Sequence, residues 1–361
     1  MYMLKLIRIF LEYYKIHRKQ ILILFFSFLL GAILFASIFY YIDYEELSEV
    51  IFRFKWWKFL IFLGISTISF FLTTFRWSLV IKTQGFKVKF FRLLQYRLAG
   101  FGFSYLTPIA EIGGAPFRAH LLKKEGIPFN KGLLNVIIDN FLEVFTQAIL
   151  VSLSLLAFIS HFGFSKKMEW IFVLAIILFL ILTTWVLQRF RRGYLVLSPF
   201  FKVLRIKSVY RTFSKIERPF IDFFSNNKKV FIKTILLTIL NFAVSIIEAG
   251  ALIYLMGFRF GPLNIFFSKI ILNISTLFPV PAGLGVSEWM QAAFFSSVMA
   301  GKSAGLIFSI LFKAKCLFFA FLGILIFFYW WHKKNRWDKY LINYVQQKIN
   351  AQNFKKNYSK R

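Results

Sequence analysis

The chain has 361 residues, of which 58% are hydrophobic and 51 are phenylalanine, a composition that excludes a soluble globular protein and indicates an all-α polytopic membrane protein. The formal net charge of +31 would suggest nucleic acid in a soluble protein. Here Lys and Arg sit mainly in terminal and inter-helix segments, where anionic lipid headgroups attract them, so membrane phospholipids and no nucleic acid are the expected partners.

Residues 1–20 interleave Lys5, Arg8, Lys15, Arg18 and Lys19 with Leu, Ile, Phe and Tyr, which predicts a basic helix lying on the cytoplasmic leaflet. Ile21 to Ile42 is an apolar run of roughly 33 Å at about 1.5 Å per residue, enough for a first span. It is too long for a signal-peptide core and lacks a small-residue cleavage site after it, so it is expected to remain. Residues 43–58 set Asp43, Glu45, Glu46 and Glu49 against Arg53, Lys55 and Lys58, and read as an external loop with Trp56 and Trp57 at the interface. Phe59 to Phe75 returns, and Lys82, Lys87, Lys89, Arg92 and Arg97 then mark the inner side. Arg76, directly after the apolar run and beside Trp77, reads as an interface anchor.

Parity decides the course of the next segment. If residues 98–117 crossed the membrane, Arg118, Lys123, Lys124 and Lys131 would lie outside. So would the connection 188–229, with eleven Lys/Arg against two acids. A hairpin that dips in and returns keeps both basic segments inside. Leu133 to Phe158 then crosses outward and Trp170 to Leu187 crosses back. The connection 188–229 lies on the inner surface as amphipathic helix, and Phe231 to Met256 crosses outward. Ser303 to Trp331 must return inward, because His332, Lys333, Lys334 and Arg336 come after it, so Pro262 to Glu288 is a second hairpin dipping in from the opposite face. Six full spans, two oppositely oriented re-entrant hairpins and cytoplasmic termini result, the arrangement expected of an inverted repeat. Residues 21–331 form the membrane domain, and 332–361 a basic cytoplasmic tail.

Both hairpins are marked by their breaks. In Leu277-Phe278-Pro279-Val280-Pro281-Ala282-Gly283-Leu284-Gly285-Val286-Ser287-Glu288 two prolines remove backbone donors and two glycines permit a turn, so one helix stops and another begins near Val286. Tyr105 to Arg118 repeats the pattern with Pro108, Glu111, Gly113, Gly114 and Pro116. Broken backbone at membrane depth needs protein or water around it, and paired breaks of this kind point to a midplane site. Tight surface loops between helices are the alternative.

Asp139, Glu143 and Gln147 recur every four residues and share one helix face, and Asn241, Ser245 and Glu248 do much the same. A carboxylate at mid-bilayer costs about 2.5–3.5 kcal/mol on the insertion scale, so these faces point at other helices or water. Lys313 and Lys315, with Lys269, Arg97 and Arg118, are the candidate partners. Interior ion pairs without a substrate would explain the same residues. The lone Cys316 excludes an intramolecular disulfide, and the four histidines are scattered, so neither a metal nor another cofactor is expected.

The run Pro279-x-Pro281-Ala282-Gly283-Leu284-Gly285-Val286-x-Glu288, with Arg76-Trp77, Pro108 to Gly114, Arg118 and Asp139, resembles the transmembrane, flippase-like region of lysylphosphatidylglycerol synthases and their stand-alone relatives. Ala282 stands where that family usually has another Gly, which leaves the turn chemistry intact. The resemblance implies a lipid translocase of the cell membrane that moves or binds a phospholipid such as aminoacylated phosphatidylglycerol. It does not carry over the synthase activity, since the thirty residues after Trp331 are too few for an aminoacyltransferase fold. No nucleophile elbow or P-loop appears either, and no enzymatic activity is expected. On this reading Glu111, Asp139, Glu143 and Glu288 neutralise a cationic headgroup, while Arg97, Arg118 and Lys313 hold the phosphate. Gly113, Gly114, Pro279, Pro281, Gly283 and Gly285 shape the helix ends that face it. A polyprenyl-phosphate or glycolipid transporter, or a membrane scaffold, are the competing expectations.

Overall fold

The computed structural model describes residues 26, 28–38, 40–41, 44–53, 55, 57–106, 114–162, 166–194, 218, 221–276, 278, 280 and 283–332. The predicted surface helix 1–20, most of the connection 188–229, the tail beyond His332, and Glu111, Gly113, Pro279 and Pro281 lie outside them.

The described elements are all helical: α1 (Phe28–Ile38), α2 (Tyr44–Arg53), α3 (Trp57–Thr83), α4 (Phe90–Leu106), α5 (Gly114–Leu122), α6 (Phe129–Phe162), α7 (Lys166–Arg191), α8 (Lys228–Leu255), α9 (Pro262–Ser275), α10 (Val286–Ser297) and α11 (Lys302–His332). Five of them, α3, α6, α7, α8 and α11, are long and apolar enough to cross a bilayer. The first expected span is described over α1 alone. The segment read as an external loop contains α2, whose Leu47 and Val50 join the apolar cluster that holds Phe62 and Phe308.

The helices flanking each Pro/Gly-broken stretch pack against one another. In the first hairpin the Glu125 carboxylate accepts hydrogen bonds from Arg92 and Tyr96 at 2.9 Å, while Gly114 at the far end lies against Gly100 and donates its N–H to Ser104 Oγ at 3.0 Å. In the second, Phe260 meets Phe295, Gln291 Nε2 donates to the Ser268 carbonyl at 2.8 Å, and Gly283 lies against Ser275. The mouths are residues 92 and 125 in one, 260 and 295 in the other.

Those mouths lie at opposite ends of the bundle. Helices α3 and α8 run antiparallel: Lys58 Nζ donates to the Leu255 carbonyl, Ser66 to Glu248, and Arg76 to Thr238. The C-terminus of α3, where the first hairpin starts, is therefore at the other end from the C-terminus of α8, where the second starts. Helix α11 runs along both. Gly305 lies against Gln291, Ser309 Oγ donates to Ser287 and Lys313 Nζ to the Gly283 carbonyl; further on Gly102 lies against Ala320, Gly323 against Leu98, and Phe327 meets Phe103 and Phe117. Lys313 and Ala320 are seven residues apart, about 10 Å along a helix, so the described parts of the two hairpins stand end to end on one strut.

Burial is arranged for oil. Leu236, Ile239, Leu240 and Ile247 of α8 and Leu317, Phe321, Leu325 and Phe328 of α11 are exposed, whereas Arg76, Asp139, Glu248, Glu288 and Gln291 are buried. Helix α7 packs on α6 and turns Trp170, Leu174, Leu178 and Leu182 outward. The end of the connection 188–229 is described at residues 221–226, where Phe223 and Phe224 join Val80, Leu142 and Phe190.

Candidate functional site

The stripe Asp139, Glu143, Gln147 of α6 faces α3, and Arg76 meets it. Arg76 is fully buried; its Nε donates to Asp139 Oδ1 at 2.9 Å, Nη2 to Glu143 Oε2 at 2.6 Å and Nη1 to Thr238 of α8 at 3.1 Å. The expectation that Arg76 anchors at the interface is thereby overturned. The reason is length: Phe59 to Phe75 is 17 residues, short of the ~20 a span needs, so the helix continues through Arg76 and carries it inside.

The first hairpin adds two more guanidinium groups. Arg97 Nη2 donates to Asp139 Oδ2 at 2.5 Å and to the Thr73 carbonyl at 2.9 Å. Arg118 Nη2 donates to Asn140 at 2.7 Å, and its Nη1 stands 3.7 Å from Asp139 Oδ2. Trp77 lies within cation–π reach of both, at 5.8 Å from Arg97 and 5.6 Å from Arg118. Gly100 makes room for this: a Cβ there would sit 2.5 Å from Arg118 Cγ.

Next to this cluster is an open cavity of about 240 Å³ lined by residues of α3, α4, α5, α6, α8, α9 and α11. Arg97, Arg118, Lys269 and Lys315 line it with Glu143, Gln147, Asn241 and Glu248; Ser69, Ser104, Ser245 and Asn273 add polar groups, and Phe70, Phe101 and Phe242 apolar wall. Glu248 accepts from Lys315 at 2.9 Å and from Ser66, and Lys315 Nζ lies 4.3 Å from the Phe312 ring centroid. Lys269 stands over the same ring at 5.4 Å and makes no salt bridge or hydrogen bond among the described residues, Glu248 acting on it only from beyond salt-bridge distance. Ser69 Oγ, Arg97 Nε and Asn241 Oδ1 are buried without hydrogen-bond partners among the described residues. An unmet buried polar group costs about 1–3 kcal/mol, which a ligand or water in the cavity would relieve.

A second polar cluster sits at the tip of the other hairpin. Lys313 Nζ bridges both oxygens of Glu288, at 2.6 and 2.8 Å, and donates to the Gly283 carbonyl at 3.1 Å; Ser287 donates to Glu288 at 3.0 Å. Gly285 has φ of 79°, the left-handed region that favours glycine, and a Cβ there would strike Leu34 and the Gly31 carbonyl of α1. Trp289 Nε1 donates to the Leu34 carbonyl at 3.0 Å, tying the hairpin to α1.

Of the sequence-predicted residues, Arg97, Arg118, Asp139 and Glu143 come together beside the cavity, and Gly114 closes the hairpin that carries two of them. Glu288, Lys313, Gly283 and Gly285 form the separate cluster and do not line the cavity. The site set drawn from sequence omitted Arg76, Lys269, Lys315, Asn241, Gln147 and Glu248. Five of those six stood among the in-membrane polar residues, and Arg76 was signalled only by the short apolar run before it.

The lysylphosphatidylglycerol synthase TM region family model matches residues 23–323, nearly all of the membrane domain. The chain belongs to this family. A UPF0104 membrane protein of Archaeoglobus fulgidus is 24% identical over 279 residues, covering 73% of this chain and 83% of that one. The family resemblance thus holds over residues 23–323, and the chain is a multi-pass all-α membrane protein. In this lysylphosphatidylglycerol synthase TM-region protein, Arg76 and Asp139 join α3 to α6 and Arg118 joins the first hairpin to them.

Proposed function

We propose that this protein is a lipid translocase of the cell membrane rather than an enzyme, taking a phospholipid headgroup into the cavity while the acyl chains stay in the bilayer. The observation that carries the proposal is the cavity: a polar, cation-rich space of about 240 Å³ inside helices whose outer faces are apolar. That volume is below the ~300–1,000 Å³ of sites for drug-sized ligands, so it suits a headgroup and not a whole lipid. Charged groups inside such a bundle are expensive unless they serve a pathway or pair internally, and Lys269 makes no salt bridge among the described residues. The opposed hairpins supply two halves that can move against each other about a fixed site. The termini are cytoplasmic in this proposal, and the basic segments outside the spans rest on anionic headgroups.

Purified protein reconstituted into vesicles with a fluorescent phospholipid in both leaflets tests this. Chemical quenching from outside should proceed beyond the outer-leaflet half with the wild type and stop there with Gln147→Trp, which fills the cavity. Wild-type vesicles that behave like protein-free ones would remove translocation from this chain.

A further inference from the structure

We propose, building on the headgroup reading above, that the cavity selects a lipid phosphomonoester, a headgroup ending in a free phosphate, over phosphodiester and amine-bearing headgroups. The observation behind it is a charge imbalance. Among the described residues, the cavity wall and the layer behind it hold Arg76, Arg97, Arg118, Lys269 and Lys315, but only three carboxylates, Asp139, Glu143 and Glu248. Five cations against three acids leave an excess of two positive charges among the described residues of a region sheathed by apolar helix faces.

The acids are already engaged. Asp139 gives one oxygen to Arg76 and the other to Arg97, Glu143 accepts from Arg76, and Glu248 accepts from Lys315 and Ser66. A headgroup amine would therefore meet only carboxylates already charge-paired and would add a further positive charge to the excess. A phosphodiester brings one negative charge and leaves the site unbalanced. A phosphomonoester carries about −1.5 to −2 near neutral pH, which cancels the excess, and it presents three acceptor oxygens where a diester presents two. Donors for them are at hand: the ammonium of Lys269, and Arg97 Nε, which is buried with no acceptor among the described residues. Guanidinium groups fit phosphate oxygens with directed, charge-assisted bonds. Lys269, which makes no salt bridge among the described residues, can lose its charge without breaking one. It is the residue on which the second negative charge of the ligand depends.

The test is binding by native mass spectrometry and isothermal calorimetry, with the full chain in neutral detergent. The probes are dioctanoyl phosphatidic acid, dioctanoyl phosphatidylglycerol, dioctanoyl lysylphosphatidylglycerol and, as the soluble phosphomonoester, glycerol 3-phosphate. Phosphatidic acid should bind about tenfold or more tightly than phosphatidylglycerol, the order expected of one further unscreened charge. Lys269→Gln should shrink that ratio towards one and Lys269→Arg should keep it, a pair of results that general unfolding would not produce. Equal binding of the two anionic lipids with a ratio insensitive to Lys269, or preference for the lysyl lipid, overturns phosphomonoester selection while leaving a headgroup site. Binding of glycerol 3-phosphate as tight as that of phosphatidic acid overturns the lipid as the source of the phosphate. No binding of any lipid probe overturns the headgroup reading and the selection together.

Discussion

Arg76 and Arg92 each donate to a carboxylate at 2.9 Å, and the two pairs differ in their surroundings. The Arg92 side chain is 46% exposed and its bond to Glu125 is screened, so Arg92→Gln should lower stability by about 0–1 kcal/mol. Arg76 is at 1% and Asp139 at 0%, and Arg76 also holds Glu143. Arg76→Gln leaves Glu143 without its cation in an apolar bundle, where orphaning one partner costs about 3–5 kcal/mol. Arg76→Lys should fall between the two, because one ammonium cannot reach Asp139, Glu143 and Thr238 together as the guanidinium fork does. Detergent melting curves followed by size exclusion should order the variants Arg92→Gln, Arg76→Lys, Arg76→Gln by increasing loss. An Arg76→Gln protein melting with the wild type would mean that the clasp does not hold the fold together. The acids of this clasp were legible in the sequence, since a spacing of four places Asp139, Glu143 and Gln147 on one face. Their cation was not, because Arg76 beside Trp77 has the local pattern of a residue at the membrane surface, and only the span length argues otherwise.

At the scale of elements, proline and glycine announced both hairpins, and charge parity gave their opposite openings before any contact was known. What they pack against was not legible. The approach of α11 to both hairpins depends on which small residues coincide across helices far apart in the chain, and on the register of α11. That register decides that Lys313 serves Glu288 while Lys315, two positions on and on another face, serves Glu248. Gly323 and Gly114 mark where backbones touch: a Cβ on Gly323 would overlap the Leu98 carbonyl of α4, and one on Gly114 would overlap the Gly100 carbonyl. Neither obstacle is a flexible side-chain end. Gly323→Ala and Gly114→Ala should therefore part α4 from its neighbours and destabilise by about 1–3 kcal/mol, as overpacking does. Gly64 is the control, with open space where its Cβ would go, and Gly64→Ala in the middle of α3 should gain up to about 1 kcal/mol from helix propensity. Opposite signs for the two kinds of glycine in one melting series are the expected result. A gain at Gly323 would show that α4 and α11 have room to spare.

The molecule as a whole is two hairpins standing on one strut, opening to opposite ends, with the charged cavity beside the first and the Glu288–Lys313 pair at the tip of the second. Such an object has a definite direction in the membrane, and labelling can read it. Lys87 precedes the first mouth and is exposed, and Met299 lies in the second, between α10 and α11, at 97% exposure. The antiparallel pairing of α3 and α8 requires these positions to be on opposite faces, whichever way up the protein sits. The basic residues around Lys87, with Lys82, Lys89 and Arg92, put that face inside by the positive-inside rule. In a Cys316→Ala background, a membrane-impermeant maleimide applied to intact cells should label Met299→Cys at once and Lys87→Cys only after permeabilisation. The reversed order would keep the opposed hairpins and overturn the orientation drawn from charge. Labelling of both positions from one side would overturn the opposed openings themselves. The second mouth would then share a face with the first, and rocking one half against the other could no longer expose the cavity to each leaflet in turn.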